Sequence, residues 1–241
     1  MISYNPKDWF SFLFKFHKSD TFRELLPMIL TISVYSGAVA WYFSGYLHMD
    51  KNDHLKNLSI MHSMLTFVIS MLLVFRTNSA YDRWWEGRKL WGALVNNSRN
   101  LSLKLNSILP ADDADNRSFF SVMIPNYAFA LKSHLRNSFH PNELQHHPYF
   151  NHHSISPGNH QPNFLARVMY NRIHELNRQG VISNEHLIYL NAELISFTDI
   201  CGACERIKNT PIPFSYGIFL KKFIFFFVMT LPFTMVFSLG F

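Results

Sequence analysis

The sequence predicts an all-α protein embedded in a membrane, with a large helical part outside the bilayer. Three apolar runs, each about 20 residues long, can cross a hydrocarbon core roughly 30 Å thick as helices. Charged residues are concentrated outside these runs, and the region between the second and third runs repeats its apolar residues with a helical period. This segregation is typical of an integral membrane helical bundle with a water-exposed part.

The first apolar run, Leu25 to Leu47, contains no Asp, Glu, Lys or Arg, and Trp41, Tyr42 and Tyr46 lie near one end. Tryptophan and tyrosine concentrate at membrane interfaces, so this run is interpreted as the first membrane span. The segment before it, residues 1–24, interleaves aromatic and lysine residues. It is predicted to be either an amphipathic helix at the membrane surface or an ordinary helix packed on the protein.

The second run, from Leu58 to Phe75, is predicted to leave the membrane as one long helix that bends near residues 77–79. Within it, Phe67, Met71 and Phe75 are four residues apart and share one helix face. In a symmetric oligomer this face would form successive apolar rings around an axis, and such constrictions gate ions by dewetting. A contact between two helices would explain the same spacing.

Beyond the second run, charges of both signs occur at helical spacing. Asp82, Glu86 and Lys89 are neighbours on one face of the expected helix, which favours local ion pairs. The alternative interpretation is that these side chains line a vestibule.

Capping residues, glycine and proline mark the ends of the remaining helices. Each of these helices is bounded by at least one such residue in the sequence. The predicted helices are residues 112–137 with an interruption at Pro125, residues 161–179 ended by Gly180, residues 184–209 capped by Ser183 and ended by 210–213, and the third apolar run 223–241 with a kink at Pro232.

Lysine and arginine flank the three runs on one side, and cytoplasmic flanks of membrane helices are rich in these residues. The N-terminus and the region 76–218 are therefore predicted to be cytosolic. The chain ends directly after an apolar run, so a C-terminal part containing a fourth span is expected to be missing. The predicted division is an amphipathic segment 1–24, spans one and two in 25–75, a cytosolic helical region 76–218 and span three in 219–241.

Several function classes are disfavoured. The net charge is +6, but the basic residues flank apolar spans instead of forming one patch, so nucleic acid is not an expected partner. The sequence contains no phosphate-binding, dinucleotide-binding or metalloprotease motif, so neither an enzymatic activity nor a cofactor is predicted. Cys201 and Cys204 fall inside a predicted helix, and the histidines of loop 140–160 are interpreted as solvated. Neither group is predicted to bind a metal.

Two segments resemble a known family. Phe75 to Leu101, FRTNSAYDRWWEGRKLWGALVNNSRNL, is similar to the hallmark segment of the bestrophins, particularly their bacterial homologues. Glu205 to Phe223, ERIKNTPIPFSYGIFLKKF, is similar to the next marker of that family, and the order and separation of the two segments also fit. The residues that carry the first marker are Arg76, Asp82, Arg83, Trp84, Trp85 and Glu86.

The resemblance implies a homopentamer around one axial pore, in which the second membrane helix lines a narrow neck at Phe67, Met71 and Phe75. It also implies a cytosolic aperture, matched here by His186 with Glu185 beside it. The implied protein is a multi-pass channel of a bacterial inner membrane, whose partners are copies of itself, the lipid bilayer and monovalent ions. Chloride is the usual ion of the family. A sodium channel of the bacterial bestrophin type, and a membrane scaffold or modulator without its own conductance, are the alternatives.

Overall fold

A computed structural model of the chain describes residues 20–46, 57–138, 140–150 and 158–239. Most of the predicted amphipathic segment 1–24, and most of the loop between the first two predicted spans, lie outside the described residues. Six α-helices account for most of the described chain. They are α1, Asp20–Ala40, which continues as a π-helical turn Trp41–Tyr46; α2, Asn57–Ile108; α3, Ala114–Arg136; α4, Gln161–Arg178; α5, Asn184–Asn209; and α6, Phe214–Leu239.

The chain divides into two compact units. Residues 1–76 and 213–241 form the first unit, and residues 77–212 form the second unit. Among the residues that the structure describes, three helical stretches are long and apolar enough to cross a membrane, namely Arg23–Tyr46, Asn57–Ile108 and Asn184–Phe237. The third stretch covers α5 and α6, and its apolar part is α6, because α5 carries charged side chains along its length. The protein is therefore a helical membrane protein.

In the first unit, α1 packs against α6. The Tyr35 hydroxyl donates a hydrogen bond to the Met229 carbonyl at 3.1 Å, and the rings of Phe43 and Phe237 meet edge-on with their centroids 5.4 Å apart. Serine and threonine hydroxyls along α1 donate to carbonyl oxygens one turn earlier. Since hydrocarbon offers no hydrogen-bond partners, this internal pairing lets α1 carry hydroxyl groups through a membrane.

In the second unit, side chains from α2, α3, α4 and α5 form one buried core. Tyr127 lies at its centre, and its hydroxyl donates a hydrogen bond to the Phe197 carbonyl at 2.7 Å, so the one polar atom of this buried ring is satisfied. The rings of Tyr127 and Phe197 meet edge-on at 4.6 Å. The other large side chains that are fully buried in this core include Leu101, Met123, Leu165, Met169, Ile173 and Leu190.

Several helix ends follow the predicted capping signals. The Asp113 carboxylate accepts a hydrogen bond from the Asn116 backbone N–H at 3.1 Å and caps α3. The predicted bounds of α5 are confirmed, and the Ser183 hydroxyl accepts from the His186 backbone N–H at 3.3 Å. Gly180 follows α4 with a φ of 78°, a left-handed conformation that glycine adopts without steric cost.

One helix prediction was wrong. The interruption expected at Pro125 is absent, and α3 continues through this residue. Proline removes the N–H that would bond to the Ser121 carbonyl, but both residues lie on the exposed side of α3, where solvent can supply the missing donor. The last helix contains most of the third apolar run but begins earlier, at Phe214, and the Pro213 carbonyl accepts its first hydrogen bonds.

Candidate functional site

The face predicted to line a pore is exposed on α2. Phe67 is 70% exposed, Met71 50% and Phe75 53% in the isolated chain. The spacing of four residues stacks these side chains along the helix, as predicted. Exposed apolar side chains of this size on a helix long enough to span a bilayer must meet lipid, another copy of the chain or the axis of an assembly.

The contacts that α2 makes within the first unit lie on the other side of this helix. His62 and Ile69 are buried there, and the His62 ring stacks on Phe227 of α6 with centroids 4.1 Å apart. The Tyr216 hydroxyl donates to the Leu72 carbonyl at 2.9 Å. Since an α-helix turns by about 100° per residue, the buried face lies roughly 150° from the exposed face of Phe67, Met71 and Phe75.

The exposed face of α2 offers no charged group at these three positions. It can pack against an apolar surface, or it can narrow a water-filled path so that water and ions are excluded until it widens. It cannot coordinate an ion with oxygen or nitrogen ligands. The chemistry of this face is therefore steric and hydrophobic.

The two marker segments of the sequence contact each other in the second unit. Arg83 of α2 donates from Nη2 to the Ile207 carbonyl at 2.6 Å and from Nη1 to the Thr210 carbonyl. These carbonyls belong to the last turn and C-cap of α5, where backbone acceptors lack helical partners. A guanidinium at this position satisfies them and also complements the negative end of the helix dipole.

Glu86 adds an ion pair to the same contact. Its Oε1 accepts a hydrogen bond from Arg206 Nη2 at 2.6 Å. The expectation of local pairing along α2 was therefore wrong for Glu86, because the nearby end of α5 supplies an arginine. The sequence contains the opposite charges of this pair, one in each marker segment. Because the two segments are far apart in the chain, helical spacing alone could not predict the contact.

The other residues of the first marker are exposed. Arg76 and Asp82 lie on the surface of α2. Trp84 is 58% exposed and Trp85 47%, and their ring centroids are 6.0 Å apart. Paired exposed tryptophans form an apolar patch of the kind that meets another protein surface or a membrane interface.

The predicted aperture residues lie in the first turn of α5. Glu185 and His186 are exposed. A hydrogen bond with the Ser183 side chain lowers the pKa of Glu185 below its ordinary value. Nearby, Ile188 is 77% exposed, which is unusual for a large aliphatic side chain. These residues are positioned on the surface of the second unit.

A group that the sequence did not predict joins three helices. Nε2 of His134 and Nε2 of His160 lie 2.6 and 2.7 Å from the same carboxylate oxygen, Oε1 of Glu205. Burial opposes ionisation of this carboxyl, but the hydrogen bonds from the two histidines outweigh it, so the pKa of Glu205 lies below its ordinary value. His160, interpreted from the sequence as a solvated loop residue, is thus a half-buried partner of Glu205.

The two cysteines are free and buried in the second unit. Burial raises the pKa of the Cys201 thiol to about 12 and also raises the pKa of Cys204. The thiolate is the reactive form of cysteine, so both side chains act here as small apolar core residues.

Comparison with known proteins identifies relatives along the whole chain. The sequence model of a family described as bacterial/fungal bestrophin protein matches residues 1–241. The chain is 36% identical over 182 residues to a voltage-dependent anion channel-forming protein of Nostoc sp., an alignment covering 73% of this chain and 58% of that protein. It is 31% identical over 242 residues to the voltage-dependent anion channel-forming protein YneE of Escherichia coli K12, covering 99% of this chain and 77% of YneE.

Solved structures share the fold. A variant of a bacterial bestrophin homologue from Klebsiella pneumoniae superposes with a TM-score of 0.75 at 24% identity, over 88% of this chain and 78% of the other. A second variant of that homologue superposes with a TM-score of 0.70 at 26% identity, over 88% and 77% of the two chains. The helical arrangement described above is therefore one that solved proteins also adopt.

Proposed function

Because this chain belongs to the bacterial and fungal bestrophin family, we propose that it forms the subunit of an ion channel in a membrane. The observation that carries the proposal is the exposed apolar face of Phe67, Met71 and Phe75 on a helix long enough to span a bilayer. The chain spans 58% of the length of its Nostoc relative. The channel activity of the whole protein is therefore proposed from two supports, the family of the chain and the exposed face of α2.

The proposed assembly is a homopentamer with α2 of each subunit facing a common axis. The contacts of α2 with α6 lie on the other side of α2, and Phe67, Met71 and Phe75 are each at least 50% exposed in the isolated chain, which supports the use of their face at an axis shared by copies. Five copies of each residue would form three apolar rings. Met71 is unbranched and flexible, so its ring would be the most adaptable of the three.

Chloride is the proposed ion. The relatives from Nostoc and Escherichia coli are named as anion channel-forming proteins, which supports an anion. The apolar neck itself does not discriminate by charge, because it offers neither positive nor negative groups. Selection between anions and cations would therefore depend on charged surfaces elsewhere along the path. The reversal potential of the channel distinguishes chloride from the sodium alternative.

We place residues 1–24 at the interface, residues 25–75 and 219–241 in the bilayer of a bacterial inner membrane, and the N-terminus and region 76–218 in the cytosol. The excess of lysine and arginine on one side of the spans supports this orientation. Glu185 and His186 would then lie at a cytosolic aperture, where their exposure leaves them accessible to ions.

The test is reconstitution of the purified full chain in a planar bilayer with a tenfold NaCl gradient. A tenfold ratio corresponds to about 1.4 kcal/mol, and thus to a reversal potential of about 60 mV for a perfectly selective pore. The sign expected for chloride supports an anion channel, and the opposite sign establishes the cation alternative. A particle mass of five times the 28.3 kDa subunit mass is expected for the pentamer.

Variants in the neck test the pore assignment. Phe67→Ala should change single-channel conductance by widening the first ring, and Phe226→Ala is the matched control, because Phe226 is 64% exposed on α6 instead of α2. If Phe67→Ala and Phe226→Ala change the conductance equally, the assignment of Phe67 to the neck of the pore is contradicted. If neither the native chain nor the single variants at Phe67, Met71 and Phe75 conduct, the channel proposal fails and the scaffold alternative stands.

A further inference from the structure

Three potential metal ligands converge in the second unit, and none of them is among the residues proposed for the neck or the aperture. The ligand atoms of His134, His160 and Glu205 all lie within 4.8 Å of one another. The side chains are 26%, 34% and 27% exposed, so the group is half-buried and open to water on one side. The two imidazole rings lie with their centroids 4.4 Å apart and both direct Nε2 toward one carboxylate oxygen.

Each ligand is held by a separate structural element. His134 lies in the last turn of α3, and its backbone carbonyl accepts from Lys208 Nζ at 2.8 Å. His160 is the N-cap of α4. Glu205 lies on α5, one residue before Arg206, which pairs with Glu86. A cation at this point would therefore connect three helices of the unit.

We propose that His134, His160 and Glu205 bind one divalent transition-metal ion of the Zn²⁺ class. Two imidazole nitrogens and one carboxylate oxygen are a donor set that Zn²⁺ prefers, whereas Mg²⁺ and Ca²⁺ prefer oxygen ligands alone. Zinc–ligand bonds of about 2.0–2.1 Å require neighbouring donors to lie roughly 3.3 Å apart in a tetrahedron. The Nε2–Oε1 distances, now 2.6 and 2.7 Å, would lengthen toward this value on binding, and a water molecule would complete the fourth position.

The hydrogen bonds of His160 show which contacts this side chain would give up on binding a metal ion. Its Nδ1 accepts from the Asn163 backbone N–H at 3.3 Å, so the neutral ring carries its proton on Nε2 and donates it to Glu205. A neutral imidazole bound to metal through Nε2 carries its proton on Nδ1 and can no longer accept from Asn163. Metal binding would thus break two hydrogen bonds of His160. The first is its donation to the Glu205 carboxylate, and the second is the one it accepts from the Asn163 N–H, which caps α4. A bond from Nε2 to the ion would replace them.

Isothermal titration of the full chain in detergent, without a polyhistidine tag and after removal of metals with a chelator, tests the site with ZnCl₂. We expect one site per subunit that Mg²⁺ and Ca²⁺ do not occupy. His134→Gln and His160→Gln should each weaken binding at this site by at least about tenfold. His140→Gln is the matched control, because His140 begins the same loop and is not a member of the cluster.

Glu205→Gln completes the set, and circular dichroism of each variant confirms that its helices persist. Hydrogen exchange gives a second readout, since Zn²⁺ should accelerate exchange of the Asn163 amide in the native chain and leave it unchanged in His160→Gln. Absence of zinc binding, or equal affinity in the native chain and in His160→Gln, overturns the proposal. The trio is then a carboxylate held by two imidazole hydrogen bonds.

Discussion

The guanidinium of Arg83 donates a hydrogen bond of 2.6 Å to the backbone carbonyl of Ile207. The two residues are 124 positions apart in the chain, and the contact fastens α2 to the end of α5. A second donation from the same side chain reaches the Thr210 carbonyl. One side chain thus donates hydrogen bonds to two of the carbonyl acceptors that the end of a helix leaves without partners.

Replacement of Arg83 should loosen the end of α5. Arg83→Gln is expected to lower the free energy of unfolding by about 1.5–3 kcal/mol, the range for hydrogen bonds to a charged group. Arg83→Lys should lose less, because it keeps the charge but lacks the planar fork that reaches both carbonyls. Thermal unfolding of the full chain in detergent measures the loss, and faster hydrogen exchange at 206–212 locates it.

Arg88→Gln is the control for this prediction. Arg88 is exposed on the same helix, and its replacement should change stability by less than about 0.5 kcal/mol. If Arg83→Gln and Arg88→Gln are equally stable, the contact with α5 contributes nothing to the fold.

A second prediction concerns a nearly buried ion pair between α2 and α5. Lys104 Nζ lies 2.7 Å from Glu193 Oε2, donates to the Tyr189 carbonyl at 3.0 Å and sits 3.7 Å from the Tyr189 ring centroid. Lys104→Met should cost about 2–4 kcal/mol, because it leaves the Glu193 carboxylate largely buried without its counter-ion.

The double variant Lys104→Met with Glu193→Leu should recover most of that loss, since no unpaired charge remains. Denaturant unfolding of the two single variants and the double variant gives the coupling energy of the pair. Additive losses would show that Lys104 contributes through packing alone.

The third prediction concerns the buried hydroxyl of Tyr127. Tyr127→Phe removes its hydrogen bond to the Phe197 carbonyl and should lower the free energy of unfolding by about 1 kcal/mol, with the ring packing retained. Tyr149→Phe is the control, because Tyr149 is 53% exposed, whereas Tyr127 is fully buried. A loss in Tyr149→Phe equal to that in Tyr127→Phe would contradict the assignment.

The fourth prediction is a loss of stability in mild acid. Burial lowers the pKa of His147, with Asp115 acting in the opposite direction and His146 and Arg172 adding to the decrease. The unfolded chain binds this proton near pH 6.5 and the folded chain only at lower pH. The contribution of His147 to stability is therefore complete above about pH 6.5 and is lost as the pH falls toward the folded value.

His147→Phe should flatten that part of the profile, because phenylalanine can replace the imidazole beside Phe119 without a proton to bind. The measurement is the midpoint of thermal unfolding between about pH 7.5 and pH 5 in the native chain and the variant. A His147→Phe profile parallel to the native one would refute the prediction.

Local patterns predicted the helices well where capping residues and prolines are decisive. Ser183 and the segment 210–213 define both ends of α5, and the spacing of Phe67, Met71 and Phe75 defines one face of α2. The same rules misplaced an interruption at Pro125, since a local rule does not say whether the lost hydrogen bond faces water or the core.

Contacts between distant segments were not predictable from these patterns. His134 and His160 are 71 and 45 residues from Glu205 in sequence, and nothing in either local pattern specifies that α3, α4 and α5 bring them together. The partner of Glu86 was missed for the same reason. Helix periodicity describes one element at a time, whereas a site of this kind depends on how several elements pack.

The burial of Cys201 and Cys204 has a practical consequence. They are the only two cysteines of the chain, and their protonated, enclosed thiols should resist maleimides and methanethiosulfonates. The native chain can thus serve as its own background for thiol labelling. A cysteine introduced by Phe67→Cys or Met71→Cys would be the one readily modified group, and current block by a charged reagent would report whether water reaches that position.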